Sequence, residues 1–254
     1  MIRDIEITKR IVERFTQEFL SNVQVDVAIA GAGPSSLTAA RLIAQAGKKV
    51  AVFERRLSVG GGMWGGGMMF PVIVVQPAGS RLLSDVGVSL REEGGYYTAN
   101  SVESVTKLCS AAIDAGASIY TCMAVEDVVL VDQRVTGFVL NWTPALNSEL
   151  PIDPLAIEAK LCIDATGHGC EIAHMVHDRG IQLRTPTGGI SREGGMWAEM
   201  GERAVEEDTK EVYPGLIVAG MAATAVFGAP RMGPIFGGML LSGKRAAEMS
   251  LDLL

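Results

Sequence analysis

The sequence predicts an α/β fold of the Rossmann type: one dinucleotide-binding domain over residues 1–254, with an N-terminal helix and a β-rich insertion around 118–142. Three observations predict it. Val25–Glu54 (VDVAIAGAGPSSLTAARLIAQAGKKVAVFE) reads as an apolar strand, a glycine turn, a helix and a second apolar strand that ends in an acid. A later apolar strand, Gly215–Gly220 (GLIVAG), leads toward another helical stretch. Between them, three β-rich pieces interrupt the alternation of strand and helix.

In chain order, Asp4–Leu20 places Ile5, Ile7, Ile11, Val12, Phe15 and Phe19 near helical spacing, which predicts an amphipathic helix. The β-α-β unit follows. Gly31 and Gly33 let the backbone turn tightly and approach a pyrophosphate, which then sits at the positive end of the helix opening at Ser35. Ser36 occupies the third glycine position of that pattern. The glycine there allows close helix–strand packing, so the helix is expected to stand slightly further off. Glu54, 23 positions after Gly31, is placed to accept from ribose hydroxyls. Without the 2′-phosphate-binding Arg of an NADP site, the pattern favours NAD, FAD or ADP-ribose.

Phe70–Val75 is too continuously apolar for an exposed strand, and Ala78–Val86 reads as a helix. Ser101, with Glu103 soon after, opens a helix over Ser101–Ala115 that Gly116 ends. Ser118–Cys122, Val125–Val131 and Arg134–Asn141 are strand-like, the last two joined as a hairpin across Asp132-Gln133. Ala159–Asp164 is a buried strand leading into Ala165-Thr166-Gly167-His168, followed by a helix over Glu171–Arg179. Gly180–Val212 has little periodicity and reads as a long segment open to gating by a ligand. Gly237–Leu253 closes the chain as a helix with Leu240, Leu241, Ala246, Ala247 and Leu251 on its buried side.

Thirty glycines in 254 residues exceed the average of about 7%. They crowd into Gly60–Gly67, Gly188–Gly195 and Gly228–Gly243, interleaved with Met and aromatic residues, which predicts ordered loops lining a pocket. The formal charge of −7 argues against a nucleic-acid surface, which needs clustered Lys and Arg. No apolar run reaches the ~18 residues of a membrane span, and the charged start MIRDIEITKRIVERF has no signal-peptide core. Cys109, Cys122, Cys162 and Cys170 show no CxxC pairing, so a reduced, cytoplasmic protein is expected. Cys109 is placed on a helix face, Cys122 and Cys162 within strands.

The strands at the two ends resemble the glutathione-reductase-type flavoprotein layout. There the last strand ends in Gly-Asp, whereas here the pair is Gly220-Met221, and a thioether cannot accept a hydrogen bond as a carboxylate does. A second GxGxxG is also missing. The expectation is a flavoenzyme-like fold without flavin chemistry.

A longer pattern is more specific. It comprises Gly31–Ser35, Glu54-Arg55, the Gly60–Gly67 loop with Trp64, Gly95-Tyr96-Tyr97, Val125–Val128, Asn141-Trp142, Asp153-Pro154, Asp164–His168 and Gly220–Lys244 (GMAATAVFGAPRMGPIFGGMLLSGK). With these residues the chain resembles the thiamine thiazole synthase family along nearly its whole length. The resemblance implies that NAD is consumed as a substrate and built, with glycine and a sulfur source, into an ADP-linked thiazole carboxylate. It implies nucleotide contacts at Gly31, Gly33, Ser35, Ser36, Glu54, Arg55, Gly62, Met221 and, through its backbone, Val125. It implies Fe(II) on Asp153 and His168, shared across a subunit interface of a homo-oligomer, octameric in the family. Arg231 is the candidate for the glycine carboxylate, which a guanidinium can pair bidentately. Asp153, His168 and Arg231 are therefore the candidate catalytic residues. From the residues alone, Asp153 also reads as a turn residue, His168 as a helix cap and Arg231 as a surface Arg. His174 and His177 read as a surface face of one helix.

Two positions depart from the family. Eukaryotic members carry a Cys two residues before the Asp of the Asp-Pro pair and sacrifice its sulfur; many archaeal members carry His and use free sulfide. This chain has Pro151, a closed hydrocarbon ring that can give up no sulfur, so sulfide used over many turnovers is expected. Gly169 stands where an Asp commonly follows the His, which is expected to change how His168 is oriented. Cys170, near a helix start that can lower a thiol pKa, is a candidate sulfide carrier or iron ligand beside the plainer reading of a small buried Cys. Two other functions compete: isomerisation of ribose 1,5-bisphosphate, and non-catalytic binding of NAD or ADP-ribose. A full nucleotide unit ending in Glu54 argues against the first, and an Asp153/His168 metal pair against the second.

Overall fold

The computed structural model describes all 254 residues. The chain opens with α1 (Asp4–Ser21), β1 (Gln24–Ala30), α2 (Pro34–Gln45) and β2 (Val50–Glu54). Next come β3 (Val72–Val75), α3 (Pro77–Ser84), β4 (Arg91–Glu93), β5 (Tyr96–Asn100) and α4 (Ser101–Asp114). The middle holds β6 (Ser118–Thr121), β7 (Met123–Val131), β8 (Arg134–Trp142), α5 (Thr143–Asn147), β9 (Leu155–Asp164) and α6 (Glu171–His177). The last part holds β10 (Gly194–Met196), α7 (Ala198–Glu207), β11 (Lys210–Tyr213), β12 (Leu216–Val218), α8 (Met221–Phe227), β13 (Pro230–Arg231) and α9 (Gly237–Leu253).

The main sheet runs β11-β12-β9-β1-β2-β6, and β1 lies parallel between β2 and β9. This is the α/β, Rossmann-type arrangement that the sequence predicts. Alternation along β1 explains its two-sided burial. Ala28 and Ala30 join the core on one face with Phe53, Val218 and Ile172, while Val27 and Ile29 join Ile43, Val52 and Ile163 on the other. α2 and α9 cover that second face at very close range, because Gly243 brings the α9 backbone against the Ser35 backbone. A Cβ at Gly243 would stand 2.2 Å from the Ser35 carbonyl oxygen.

The β7–β8 hairpin turns through Asp132 and Gln133, both with positive φ (49° and 59°), as a tight two-residue connection requires. Its strands belong to the main sheet: β8 pairs antiparallel with the first half of β9, whose second half pairs parallel with β1. β9 therefore begins at Leu155, four residues before the strand read from sequence.

α4 begins at Ser101, as the sequence predicts, and Asn100 caps it: its Oδ1 accepts the Glu103 amide at 3.0 Å. Other expectations need correction. Phe70 is exposed and β3 starts at Val72, with only Ile73 and Val75 buried, because β3 is an edge of a separate sheet, β3-β5-β4. Cys122 lies between strands with φ 57° instead of within one. Gly180–Val212 is not structureless: it holds β10, α7 and β11. In α7 the buried residues are Gly201, Glu202 and Val205, too few apolar positions to show a 3.6-residue period.

Candidate active site

The C-terminal ends of β1, β2 and β9 open into a cavity of about 630 Å³. Ligands of open α/β sheets bind at this edge, where connections leave a parallel strand in opposite directions. The glycine turn forms its head. Gly31 has φ 87° and leaves no room for a side chain, since a Cβ would lie 2.5 Å from the Ala165 carbonyl oxygen. Gly33, the cap of α2, has φ −77°, and a Cβ there would meet no protein atom within 4 Å. Nothing in the fold demands glycine at 33, so the space it leaves belongs to the cavity.

Glu54 closes the same turn. It is buried at the end of β2; its Oε2 accepts from the Ala32 amide at 2.8 Å and its Oε1 from the Arg56 amide at 2.8 Å. Each carboxylate oxygen keeps a further lone pair for a ligand hydroxyl. Ser36 is buried, and its hydroxyl donates to the Gly31 carbonyl at 2.6 Å, so it braces the turn from behind and is not part of the cavity wall. Ser35 lies against Gly220, where a Cβ would approach its Oγ to 2.5 Å, and it does reach the wall.

Of the other sequence-derived candidates, Arg55, Gly62, Val125, His168, Met221 and Arg231 line this same cavity. Arg55 is ion-paired with Glu171 across its edge. Val125 sits beside a bulge in β7: Val125 and Asp127 face Leu140 and Val139, so Glu126 is the extra residue. Arg231, in β13 beside β10, is exposed, and its guanidinium has no protein partner. Two of the three glycine clusters also line the cavity, through Gly61, Gly62 and Gly66, and through Gly233.

His168 is carried on a turn that Asp164 organises. Buried Asp164 accepts from the Thr166 amide (3.0 Å), the Thr166 hydroxyl (2.7 Å) and the Ala173 amide (2.9 Å), tying the end of β9 to the start of α6. Burial raises the Asp164 carboxyl above its ordinary range, against the pull of those hydrogen bonds. Glu193, a residue the sequence reading missed, lies 2.6 Å from His168 Nδ1 through its Oε1. It supplies from the Gly188–Gly195 cluster the carboxylate that Gly169 lacks. The only signal for it was its position in that cluster.

Asp153 is exposed on the loop before β9 and is not among the residues that line the cavity with His168. No three His, Cys, Asp or Glu side chains gather as a metal site within the chain. His174 is near Asp178 (3.6 Å) and His177 is bonded to the Ile181 carbonyl (3.1 Å), so neither joins His168. Cys170 is buried, in keeping with the plainer reading of a small buried Cys. Burial first, then the negative charges of Asp164, Glu193, Glu171 and Asp178, push its thiol up to about 12. No helix is long and apolar enough to cross a membrane.

These features define an α/β protein with a Rossmann-type glycine turn at the head of a large cavity whose wall also carries an imidazole and an unpaired guanidinium. The chain belongs to the Thi4 family, whose model matches residues 8–236. It is 53% identical over 253 residues to the thiamine thiazole synthase of Methanothermobacter thermautotrophicus, covering 99% of this chain and 98% of that one. It is 49% identical over 255 residues to that of Pyrococcus abyssi, covering 100% and 99%. The crystal structure of Thermovibrio ammonificans THI4 superposes with a TM-score of 0.97 at 44% identity, over 99% of this chain and 98% of that one.

Proposed function

We propose that this chain is a thiamine thiazole synthase that consumes NAD, glycine and sulfide over many turnovers and forms an ADP-linked thiazole carboxylate. The observation that carries the reading is one cavity lined at one end by Gly31, Gly33 and Glu54 and elsewhere by His168 and Arg231. Its volume of about 630 Å³ suits a ligand of nucleotide size. Relatives alike over their whole length and named for this activity support it.

In this reading the glycine turn and Glu54 hold the ADP half, which does not react. Binding energy from that half then orients the far ribose, where nicotinamide leaves and the opened sugar isomerises to a ketone. Arg231 pairs the carboxylate of the incoming glycine while its amine condenses with that ketone. Sulfide enters next, and the ring closes with loss of water. Pro151 gives the chain no sulfur of its own at the position where some relatives sacrifice a Cys.

The fit of Fe(II) to a single chain is incomplete. His168 has the form of a ligand, its Nδ1 held by Glu193 so that Nε2 is left to bind, but no three His, Cys, Asp or Glu side chains gather as a metal site within the chain. Asp153, supplied by another copy in a homo-oligomer, is the proposed second ligand. Bound there, Fe(II) would supply a Lewis acid with open positions for small ligands.

The test is anaerobic incubation with Fe(II), NAD, glycine and sulfide, counting thiazole adduct per chain by mass spectrometry. More than one equivalent is expected. Product capped at one equivalent overturns the multiple-turnover reading, and nicotinamide release without thiazole reduces the function to NAD processing.

A further inference from the structure

Glu202 is a buried carboxylate outside the cavity wall, and nothing in the proposed chemistry uses it. It projects from α7 toward the start of α9, where its Oε2 accepts from the Gly238 amide at 2.8 Å. Its Oε1 is buried without a partner. No charged side chain compensates it; burial alone, eased only by the Gly238 amide, raises its carboxyl to about 7. A bare carboxyl is a costly thing to bury for packing alone, which an apolar residue would do better.

The backbone around it explains the placement. At Gly238 a Cβ would come within 2.9 Å of Glu202 Oε1 and 2.6 Å of Val205, so α9 begins in direct contact with α7. From the other side Gln76 fills the space beside Gly237, where a Cβ would lie 1.2 Å from its Oε1. One residue earlier on α7, Gly201 presses on the strand that bears Arg231. A Cβ at Gly201 would stand 2.6 Å from the Pro230 carbonyl oxygen and 2.9 Å from the Met232 amide. Met232, Phe236 and Met239, between these contacts, line the cavity.

We propose that Glu202 is a positioning residue: by anchoring α7 to the first turn of α9 it holds Gly201 against Pro230–Met232 and so fixes Arg231 at the cavity wall. The link is mechanical. α7 is clamped at one residue to α9 and at the next to β13, which β10 and the Trp197 amide also hold through the backbone, while the Arg231 guanidinium itself has no protein partner to set its direction. The inference rests on the reading that Arg231 takes the glycine carboxylate.

The test compares the KM for glycine in the anaerobic assay with the Kd for ADP-ribose by titration. Arg231→Ala is the reference variant. Glu202→Leu, which removes the acceptor, is expected to raise the glycine KM about 10-fold or more while the ADP-ribose Kd moves less than about 3-fold. Glu202→Gln keeps an oxygen for the Gly238 amide and is expected to stay near wild type in both. Gly201→Ala pushes β13 directly without touching the Glu202 bond, is expected to show the same glycine-selective rise, and carries the test if Glu202→Leu does not fold. A glycine KM unchanged in Glu202→Leu and Gly201→Ala but raised in Arg231→Ala overturns the inference alone. Equal losses of glycine and ADP-ribose binding in Glu202→Leu and Gly201→Ala overturn it too, as general loosening. An unchanged KM in Arg231→Ala overturns the reading of the glycine site beneath it.

Discussion

Glu54 accepts a 2.8 Å hydrogen bond from the amide of Ala32, so the acid that ends β2 grips the glycine turn that follows β1. One carboxylate thus shapes the turn and faces the cavity that the turn heads. Glu54→Ala is expected to lower ADP-ribose affinity about 10-fold or more, and to cost on the order of 1–3 kcal/mol of stability because a buried amide loses its acceptor. Calorimetric titration and thermal melts read the two effects. ADP-ribose affinity equal to wild type would remove Glu54 from the nucleotide site.

The two turn glycines should separate fold from ligand. Gly31→Ala forces a Cβ into the left-handed region at φ 87° and against Ala165, and is expected to destabilise the protein by more than about 2 kcal/mol. Gly33→Ala adds a methyl where no protein atom lies within 4 Å at an ordinary φ of −77°, so its melting temperature should match wild type. Its ADP-ribose affinity should still fall about 10-fold. Undiminished binding by Gly33→Ala would show that no phosphate approaches the backbone there.

His168 and Asp153 should act together although only His168 lines the cavity. His168→Ala and Asp153→Ala are each expected to abolish thiazole formation while leaving ADP-ribose binding within about 3-fold, since neither holds the adenylate end. Glu193→Leu, which frees the His168 ring, is expected to lower turnover about 10- to 100-fold. Full thiazole output from His168→Ala would end the metal assignment.

The raised Glu202 carboxyl gives a pH dependence of stability with a definite sign. Its folded value of about 7 lies above the ordinary 4.5, so the native state binds the proton more tightly than the unfolded chain. Its contribution is fully present below about pH 4.5 and declines as pH rises through about 7. Glu202→Gln removes the titration, so the gap in unfolding free energy between variant and wild type should shift toward the variant across that window, by on the order of 3 kcal/mol. Denaturant melts at pH 5 and pH 8 measure it. A gap independent of pH would show that Glu202 does not titrate there.

The β-α-β unit was legible because its signals are local. Strand apolarity, helical spacing and the glycine required at φ 87° are all read within Val25–Glu54. The β4–β5 hairpin was not read. Its strands are short and mostly exposed, and the Gly94-Gly95 turn had no alternating pattern on either side to announce it. α7 escaped for the reason that hides Glu202: it packs through small and charged side chains, and its fit to Gly238 and Pro230 is made by backbone contact.

By itself, the sequence determined the α/β class and the turn that heads the cavity, because each follows from periodicity or from a motif of neighbouring residues. Only the tertiary structure decided that Glu193 holds His168, that Asp153 does not line the cavity of its own chain and that Cys170 is buried. Those facts depend on which distant segments the sheet edge brings within a few ångströms, and on how much water they exclude. No spacing along the chain encodes either quantity.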